Sequence, residues 1–390
     1  MAARDYLLMR RSPLHPQLEA ARAQFFDYQG WQVPFSFGSV EQEYWAIRKA
    51  FALTDLSHRG RILVRGEDAP RFLNGMVSND VKSLEPGHGN TAFVLNVHGH
   101  ILADVRVLRL DEQCYLLDCE PLCTETVRAF LDRHIIADQV ELEDQTDALA
   151  CLSFGGPCGR EVLREALGFD PPQMTFLEHI LVDDLQARII RASQCGEEGY
   201  WILLAPTQAG PLWDRALQAG AQLGGLSVGF AATEACRIEA GIPRYGADLD
   251  EKTLPQETGQ FHAISFTKGC YVGQEVVERI RSRGHVNRRL MGIMMENEIK
   301  IPSGSFILID GEKIGTVTSS AWSYRLKRTL CLGYVRREHA LAGKIVKVQA
   351  EKTGDSEGTG FVVGTASVVG TERTEAAELA ELPFPAVLRI

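Results

Sequence analysis

The pattern of apolar and polar positions predicts short strands and helices through the first three quarters of the chain. Short segments rich in apolar residues over 61–65, 91–96 and 101–110 are typical of strands, while the apolar positions of 69–76 recur at helical spacing. Asp68 directly precedes this helix and is expected to cap it. Because hairpins join the segments, with no regular alternation of strand and helix, we expect an α+β fold built on antiparallel sheets.

The pattern changes near residue 289. From there to residue 352, short strands are separated by glycine, proline and aspartate, which predicts a small separate β-barrel. The sequence therefore divides into a mixed region over 1–288, made of two or three intertwined lobes, a barrel over 289–352 and a weakly patterned tail over 353–390.

The composition is typical of a soluble globular protein. Of 390 residues, 45% are hydrophobic and 24% are charged, which is enough to bury a large core in two or three domains. No apolar run approaches the ~18 residues that span a bilayer. The N-terminus also lacks the pattern of a signal peptide. We therefore expect a cytoplasmic protein with no membrane partner.

The net charge of −10 argues against general nucleic-acid binding. One local group of arginines is positively charged although the chain as a whole is negatively charged. It could attract phosphate or a polyanionic tail, and it could equally be a solvated surface. Its members are Arg279, Arg281, Arg283, Arg288 and Arg289.

Nine cysteines are scattered along the chain without a Cys-x-x-Cys pair. This spacing indicates neither a disulfide framework nor a zinc site, so we predict no metal and expect most thiols to be small buried residues. Cys270 differs, because Lys268 precedes it and arginines follow it. Positive charge lowers the pKa of a thiol below its usual ~8.5 and favours the nucleophilic thiolate. The alternative is a structural thiol in a glycine turn.

The segment around Cys270 is the most distinctive motif of the chain. It is similar to the KGCYxGQE signature of the YgfZ family, folate-binding proteins related to the aminomethyltransferase (T-protein) of the glycine cleavage system. The segments 30–34, 46–48, 53–60 and 66–69 resemble the opening of the T-protein in order and spacing, and the resemblance extends from about residue 14 to about residue 350. The motif itself consists of Lys268, Gly269, Cys270, Tyr271, Val272, Gly273, Gln274 and Glu275.

The resemblance implies a cloverleaf of α+β lobes around a central folate channel, followed by the C-terminal barrel. Asn96–Asp104, a hairpin, is similar to a T-protein segment in which two adjacent aspartates follow the turn, but Ala103 occupies the first of these positions. The resemblance implies that Asn96 and Asp104 contact tetrahydrofolate, with Asp104 near its reactive nitrogens as a catalytic residue. The alternative for Asp104 is an ordinary strand residue.

The resemblance also implies a role for an acid and an arginine. Glu197, in a Gly-Glu-Glu-Gly turn, matches the glutamate that binds the pterin in the family, where a carboxylate accepts two parallel hydrogen bonds. Arg237 is implied to hold the folate or a wall of its pocket, with Glu257 paired either to Arg237 or to Lys268. A solvated turn acid and a structural ion pair are the alternatives.

These features predict a tetrahydrofolate-binding protein of the YgfZ branch that serves iron-sulfur client proteins in their assembly or repair, with Cys270 as the functional thiol. One alternative is an aminomethyltransferase that moves a one-carbon unit from an aminomethyl-lipoyl carrier, the H-protein, to tetrahydrofolate. The alanine at position 103 argues against that enzyme, since the reaction needs a carboxylate beside the folate amine. A third possibility is a folate-binding scaffold without catalysis.

Overall fold

A computed structural model of the protein describes residues 9–349, 362–363 and 374–384. The chain forms two compact units, each discontinuous in sequence. The first contains the described residues up to Leu95, then Leu102–Thr233 and His262–Val272, and the second contains Asn96–Ile101, Glu234–Phe261 and the described residues from Gly273 onward. The domain boundaries that the sequence predicts at residues 288 and 352 stay predictions.

Three sheets belong mainly to the first unit. The N-terminal sheet consists, in spatial order, of β1 (Arg10–Arg11), β3 (Trp31–Ser36) and β2 (Gln24–Tyr28). The middle sheet consists of β6 (Gly89–Leu95), β7 (Ile101–Asp111), β8 (Cys114–Cys119), β5 (Gly60–Arg65) and β9 (Glu141–Asp144). The large sheet consists of β11 (His179–Val182), β12 (Ala187–Arg191), β13 (Gly199–Leu204), β10 (Ala150–Gly155), β4 (Ala52–Asp55) and β14 (Leu226–Ser227).

The helices include one whose bounds agree with the sequence pattern. That helix spans Ala69–Met76, as predicted, but Asp68 does not cap it with its side chain. The carboxylate instead accepts hydrogen bonds from the Gln139 amide and from Arg71, both at 2.9 Å. The helices are α1 (His15–Ala20), α2 (Val40–Lys49), α3 (Ala69–Met76), α4 (Thr124–His134), α5 (Gly159–Leu167), α6 (Pro206–Gly220), α7 (Phe230–Glu239) and α8 (Gln274–Arg283).

The large sheet is buried on both faces, which explains why its strands are almost continuously apolar. Successive side chains of a strand point to opposite faces. Leu152 and Phe154 of β10 pack in one core with residues of α5 and α6. Cys151 and Trp201 pack in another core with Leu108 of the middle sheet. The large sheet therefore has helices on one face and the middle sheet on the other.

The second unit contains a closed six-stranded barrel, as the sequence predicts. Pairing between β16 (Phe306–Ile309) and β17 (Glu312–Ser323) closes the ring, and a short strand, β20 (Val362–Val363), adds to β17. Residues 374–380 fall in the segment interpreted as a weakly patterned tail, yet they form a strand of this barrel. The ring consists of β16 (Phe306–Ile309), β19 (Ile345–Gln349), β21 (Thr374–Ala380), β15 (Arg288–Met295), β18 (Arg328–Arg336) and β17 (Glu312–Ser323).

Most strand pairs are antiparallel, and helices and strands mix in the first unit, so the predicted α+β class is confirmed. Within the described residues, every helix is too short or too polar to cross a membrane. The central folate channel implied by the family resemblance stays a prediction.

Candidate active site around Asp104

Asp104 and Ala103 lie on opposite faces of β7, because neighbouring strand residues alternate. Ala103 is fully buried together with Ile101 and Val105, on the apolar face of the strand. Asp104 shares the other face with Arg106 and is surrounded by charged side chains. The expectation that an alanine at 103 disfavours aminomethyl transfer is therefore not supported by the geometry, since the acid that reaches the polar face is residue 104.

The surroundings of Asp104 form a buried charged cluster, which consists of Arg59, Arg61, Asp104, Arg106, Asp118 and Glu120. The antiparallel register accounts for part of it, because Arg106 on β7 and Arg61 on β5 both stand directly opposite Asp118 on β8. Arg59 donates to Asp118 at 2.8 Å and also to Glu120.

Aromatic side chains line the cluster. Tyr28 donates its hydroxyl to Glu120, and His58 contacts the Tyr28 ring edge-on, with ring centroids 5.4 Å apart. The Arg106 guanidinium lies 4.5 Å from the centre of the Trp201 ring, and that of Arg59 lies 5.6 Å from it. Cation–π contacts of this kind hold the two guanidinium groups in place on the large sheet.

Four polar atoms in this region are buried without a hydrogen-bond partner among the described residues. They are Oδ1 of Asp104, Nε of Arg61, Nε of Arg106 and Nε1 of Trp201. A buried polar atom left unpaired costs roughly 1–3 kcal/mol. One acceptor and three donors in a single buried region are what a site completed by a polar ligand or by water presents.

The electrostatics make Asp104 suitable for proton transfer. Burial and the Glu120 carboxylate raise the pKa of Asp104, Arg106 and Arg59 oppose the shift, and the resulting pKa is about 6. Burial also lowers the pKa of His58 to about 3, so its imidazole is neutral near pH 7. A carboxyl group whose pKa lies close to the working pH exchanges a proton readily.

Glu197 lies in the first unit and is already paired. Its Oε1 accepts a hydrogen bond from Arg48 on α2, and 30% of its side chain is exposed. It borders a narrow cleft of ≈ 20 Å³ together with Leu56, Ser153 and Cys195. The sequence pointed to residue 48 only as part of a motif, because an ion pair between residues 149 positions apart has no local signal.

The first part of the cysteine motif anchors a loop to α3. Lys268 donates Nζ to the carbonyls of Asn74 and Val77 at the C-terminal end of that helix, and burial lowers its pKa to about 8. The Val272 amide donates to Gly75 at 3.1 Å. Cys270 is exposed, as expected for a functional thiol. The ammonium of Lys268, however, is directed at helix carbonyls, where a cation is favoured by the helix dipole.

The rest of the motif and two other predicted residues lie in the second unit. Gly273 precedes α8 with φ +83°, a conformation that favours glycine, and Gln274 and Glu275 begin the helix. Asn96 accepts the amides of His98 and His100 at 2.9 and 3.1 Å, so its side-chain oxygen shapes the turn between β6 and β7. A role for Asn96 in folate binding stays a prediction.

Arg237 is held in a saturated structural network. It is buried and donates to Glu234, Asp248, the Ile242 carbonyl and the Ser319 hydroxyl. Arg237 therefore supports the wall of its own unit. The predicted pairing of Glu257 with Arg237 or Lys268 was wrong, because the Glu257 carboxylate pairs with Arg288 at 3.0 Å.

Two domain models of one known protein family match this chain. The model of the GCVT N-terminal domain matches residues 14–268, and that of the glycine cleavage T-protein C-terminal barrel domain matches residues 288–356. The chain belongs to the glycine cleavage T-protein family. These matches support the family as a whole, and the narrower YgfZ branch stays a hypothesis.

Two aminomethyltransferase sequences and one crystal structure are similar to this protein over most of the chain. The aminomethyltransferase of Geobacillus kaustophilus is 32% identical over 87% of this chain and 94% of its own length. That of Rubrobacter xylanophilus is 33% identical over 85% of this chain and 88% of its own length. The crystal structure of glycine cleavage system aminomethyltransferase T from Bartonella henselae matches with a TM-score of 0.84 at 24% identity, over 96% of this chain and 98% of that one, which shows the same fold.

Proposed function

We propose that this protein is a tetrahydrofolate-dependent one-carbon transferase of the aminomethyltransferase type, with Asp104 as its acid–base residue. The observation that carries the proposal is the buried Asp104 carboxylate, whose Oδ1 has no hydrogen-bond partner among the described residues. A ligand N–H group would donate a hydrogen bond to this Oδ1 atom and remove the energetic cost of leaving it unpaired. The names of the relatives support the same class of reaction.

The residues of the cluster have separate roles in the proposed reaction. Tetrahydrofolate would supply the nitrogens that accept the one-carbon unit. Asp104 orients a ligand N–H through Oδ1 and takes up or releases a proton, which its pKa of about 6 allows near neutrality. Arg59 and Arg106 balance the charge of the neighbouring Asp118 and Glu120 carboxylates. Trp201 offers Nε1 to a ligand acceptor.

Glu197 is proposed to bind the pterin ring. A carboxylate accepts two parallel hydrogen bonds from the amino and ring N–H groups of a pterin, which is a strong and selective pairing. The contact with Arg48 fixes the orientation of the Glu197 carboxylate at the cleft. The aminomethyl donor would be a lipoyl carrier of the H-protein type, as the family resemblance implies.

A second candidate is the YgfZ-like role in iron-sulfur protein assembly or repair. The observation that favours it is the exposure of Cys270, since the other eight cysteines are buried or half-buried. An exposed thiol between two glycines of positive φ is accessible to a client protein. In this role Cys270 would act as the functional thiol, and the folate site would serve binding alone.

A turnover assay separates the two candidates. Purified protein is mixed with an aminomethyl-loaded lipoyl carrier and tetrahydrofolate, and ammonia and methylene-tetrahydrofolate are measured. We expect folate-dependent turnover that falls about 10²- to 10⁴-fold in Asp104→Asn, the usual contribution of a general acid or base. The matched control is Asp111→Asn, an exposed acid at the end of the same strand, and it should leave the rate unchanged.

Absence of turnover in the wild type, together with intact folate binding, would contradict the transferase. The YgfZ-like role then predicts that Cys270→Ser fails to restore iron-sulfur enzyme activity in a strain that lacks this protein, while Asp111→Asn restores it. Restoration by Cys270→Ser as well would leave a folate-binding scaffold as the remaining function.

A further inference from the structure

The second unit contains a polar cavity that neither Asp104 nor the cysteine motif explains. Its volume is ≈ 470 Å³, within the range of about 300–1,000 Å³ that is typical of small-molecule sites. The cavity is formed by the loop 246–253 and by residues of β15, β17 and β18. All its lining residues belong to the same unit, so the cavity is a feature of the barrel and its adjoining loop.

A buried hydroxyl lines this cavity. Tyr334 on β18 is only 6% exposed, and its hydroxyl faces the Thr253 hydroxyl without a hydrogen bond of normal geometry to any of the described residues. Thr253, which also lines the cavity, donates its own hydroxyl to Asp250 at 2.8 Å. Burial raises the pKa of Tyr334, so the phenol stays protonated and can donate. A buried donor without a strong acceptor points to a ligand that supplies one.

Positive side chains surround the same space. Arg288 on β15 and Arg336 on β18 are directly opposed in the antiparallel register, and both line the cavity with Lys313 of β17. Like charges on opposed strand positions destabilise a sheet. The Arg288 guanidinium also lies 4.4 Å from the centre of the Tyr334 ring, which brings cation and hydroxyl to one wall.

The acids that line the cavity are engaged with their own neighbours. Asp248 accepts from Arg237, from the Arg244 amide and from Thr318. Asp250 accepts from the Lys252 amide and from Thr253. Asp248 is thus paired with Arg237, while Asp250 attracts Arg288 across the cavity.

The cations are only partly neutralised by acids outside the lining. Arg288 pairs with Glu257 at 3.0 Å, and Arg336 pairs with Glu312, where the two side chains are 50% and 66% exposed. Such an exposed pair contributes little and exchanges easily. Lys313 has no carboxylate partner in the described residues, and its Nζ lies 3.7 Å from the centre of the Phe306 ring. Among the described residues that line the cavity, Arg336 and Lys313 are therefore the cations most available to a ligand.

We propose that this cavity binds a small doubly charged oxyanion, held by Arg288, Arg336 and Lys313 and by a hydrogen bond from the Tyr334 hydroxyl. The planar guanidinium group matches the geometry of carboxylate and phosphate oxygens, which makes charge-assisted pairs stronger than neutral ones. An anion between Arg288 and Arg336 also relieves their mutual repulsion. Both dicarboxylates and phosphate share this chemistry.

Calorimetric titration of the full-length protein at low salt tests the site, with inorganic phosphate in one arm and succinate in the other. We expect one of these ions to bind with a stoichiometry of one per chain. Tyr334→Phe and Arg336→Gln should each weaken binding about tenfold to a hundredfold, the usual effect of removing a hydrogen bond to a charged group. The arm that responds identifies the ligand as a phosphate or as a dicarboxylate.

The matched control is Arg337→Gln, which removes the neighbouring exposed arginine that does not line the cavity and should leave the affinity unchanged. Thermal unfolding checks that each variant is folded. If Tyr334→Phe unfolds, the half-exposed Arg336 still provides the test. The proposal is overturned if neither ion binds at millimolar concentration, or if Arg337→Gln weakens binding as much as Arg336→Gln does.

Discussion

The two buried ionic networks of this protein differ in how completely their polar atoms are satisfied. In the second unit, Arg237 uses all five of its N–H donors, on two carboxylates, a carbonyl and a hydroxyl. In the first unit, the charged cluster has similar residues, yet Asp104 and the adjoining Trp201 each have a buried atom without a hydrogen-bond partner among the described residues.

The difference in satisfied polar atoms indicates that the two networks have different roles. A saturated network is closed to ligands, and its members stabilise the fold as long as all of them are present. An unsaturated network has a stability cost, which a ligand can offset when it binds. Burial and charge alone would have marked Arg237 and Asp104 as equal candidates. The count of satisfied donors and acceptors is what separates a structural network from a site.

The largest effect is expected where the saturated network is broken. Arg237→Met leaves Asp248 buried without its cation and Glu234 with Arg244 alone, so the free energy of unfolding should fall by about 3–5 kcal/mol. Urea denaturation measures this loss. Arg289→Met is the control, because Arg289 forms an exposed pair with Glu381 worth about 0–1 kcal/mol. A loss below about 1 kcal/mol for Arg237→Met would remove the distinction between the two networks.

A substitution in the unsaturated network should raise the stability of the fold instead of lowering it. The pKa of Asp104 is about 6 in the fold and 3.8 in its absence, so the native state binds more protons between these values and stability falls as the pH rises through them. The shift corresponds to at most about 3 kcal/mol. Asp104→Asn should therefore be more stable than the wild type at pH 8.

Urea denaturation at pH 5 and pH 8 measures this difference, which should be larger at the higher pH. Asp111→Asn, on the same strand but exposed, should show no such pH dependence. A lower stability of Asp104→Asn at pH 8 would mean that the ionised carboxylate is well satisfied, and Asp104 would then resemble the Arg237 network.

The affinity for tetrahydrofolate tests whether Glu197 belongs to the same ligand site as Asp104. Glu197→Ala should weaken tetrahydrofolate binding by about 1.5–3 kcal/mol or more, which is at least tenfold, because charge-assisted hydrogen bonds are lost. Calorimetry measures the affinity. Glu198→Ala, which changes the adjacent and more exposed acid of the same turn, should have a smaller effect. Equal affinities of the wild type and Glu197→Ala would contradict the assignment.

The smallest effects concern the cysteine motif. Lys268→Met removes two hydrogen bonds to the end of α3 and should lower the free energy of unfolding by about 1–2 kcal/mol. Cys270→Ser should change it by less than about 0.5 kcal/mol, because the thiol is exposed. Chemical denaturation of both variants checks this order, and a larger loss for Cys270→Ser would make the thiol structural.

Local signals predicted much of the fold. The short strands separated by glycine, proline and aspartate in 289–352 predicted the barrel, and the helical spacing of 69–76 predicted α3 with its observed bounds. The strand at 374–380 was missed, because its alanine and glutamate residues have low strand propensity and its place is set by pairing with β15 and β19. Tertiary pairing outweighs local preference there.

For the site, the sequence determined which residues carry charge and which motif surrounds Cys270. It also supplied a clue that went unused, because Asp104 and Arg106 alternate with apolar residues on one strand, as do Asp118 and Glu120 near the end of the next. Only the tertiary structure decided which of these charges are satisfied. Arg48 meets Glu197 and Arg59 meets Glu120 across long stretches of chain, and desolvation depends on everything packed around a group. Neither property is encoded in a residue and its neighbours along the chain.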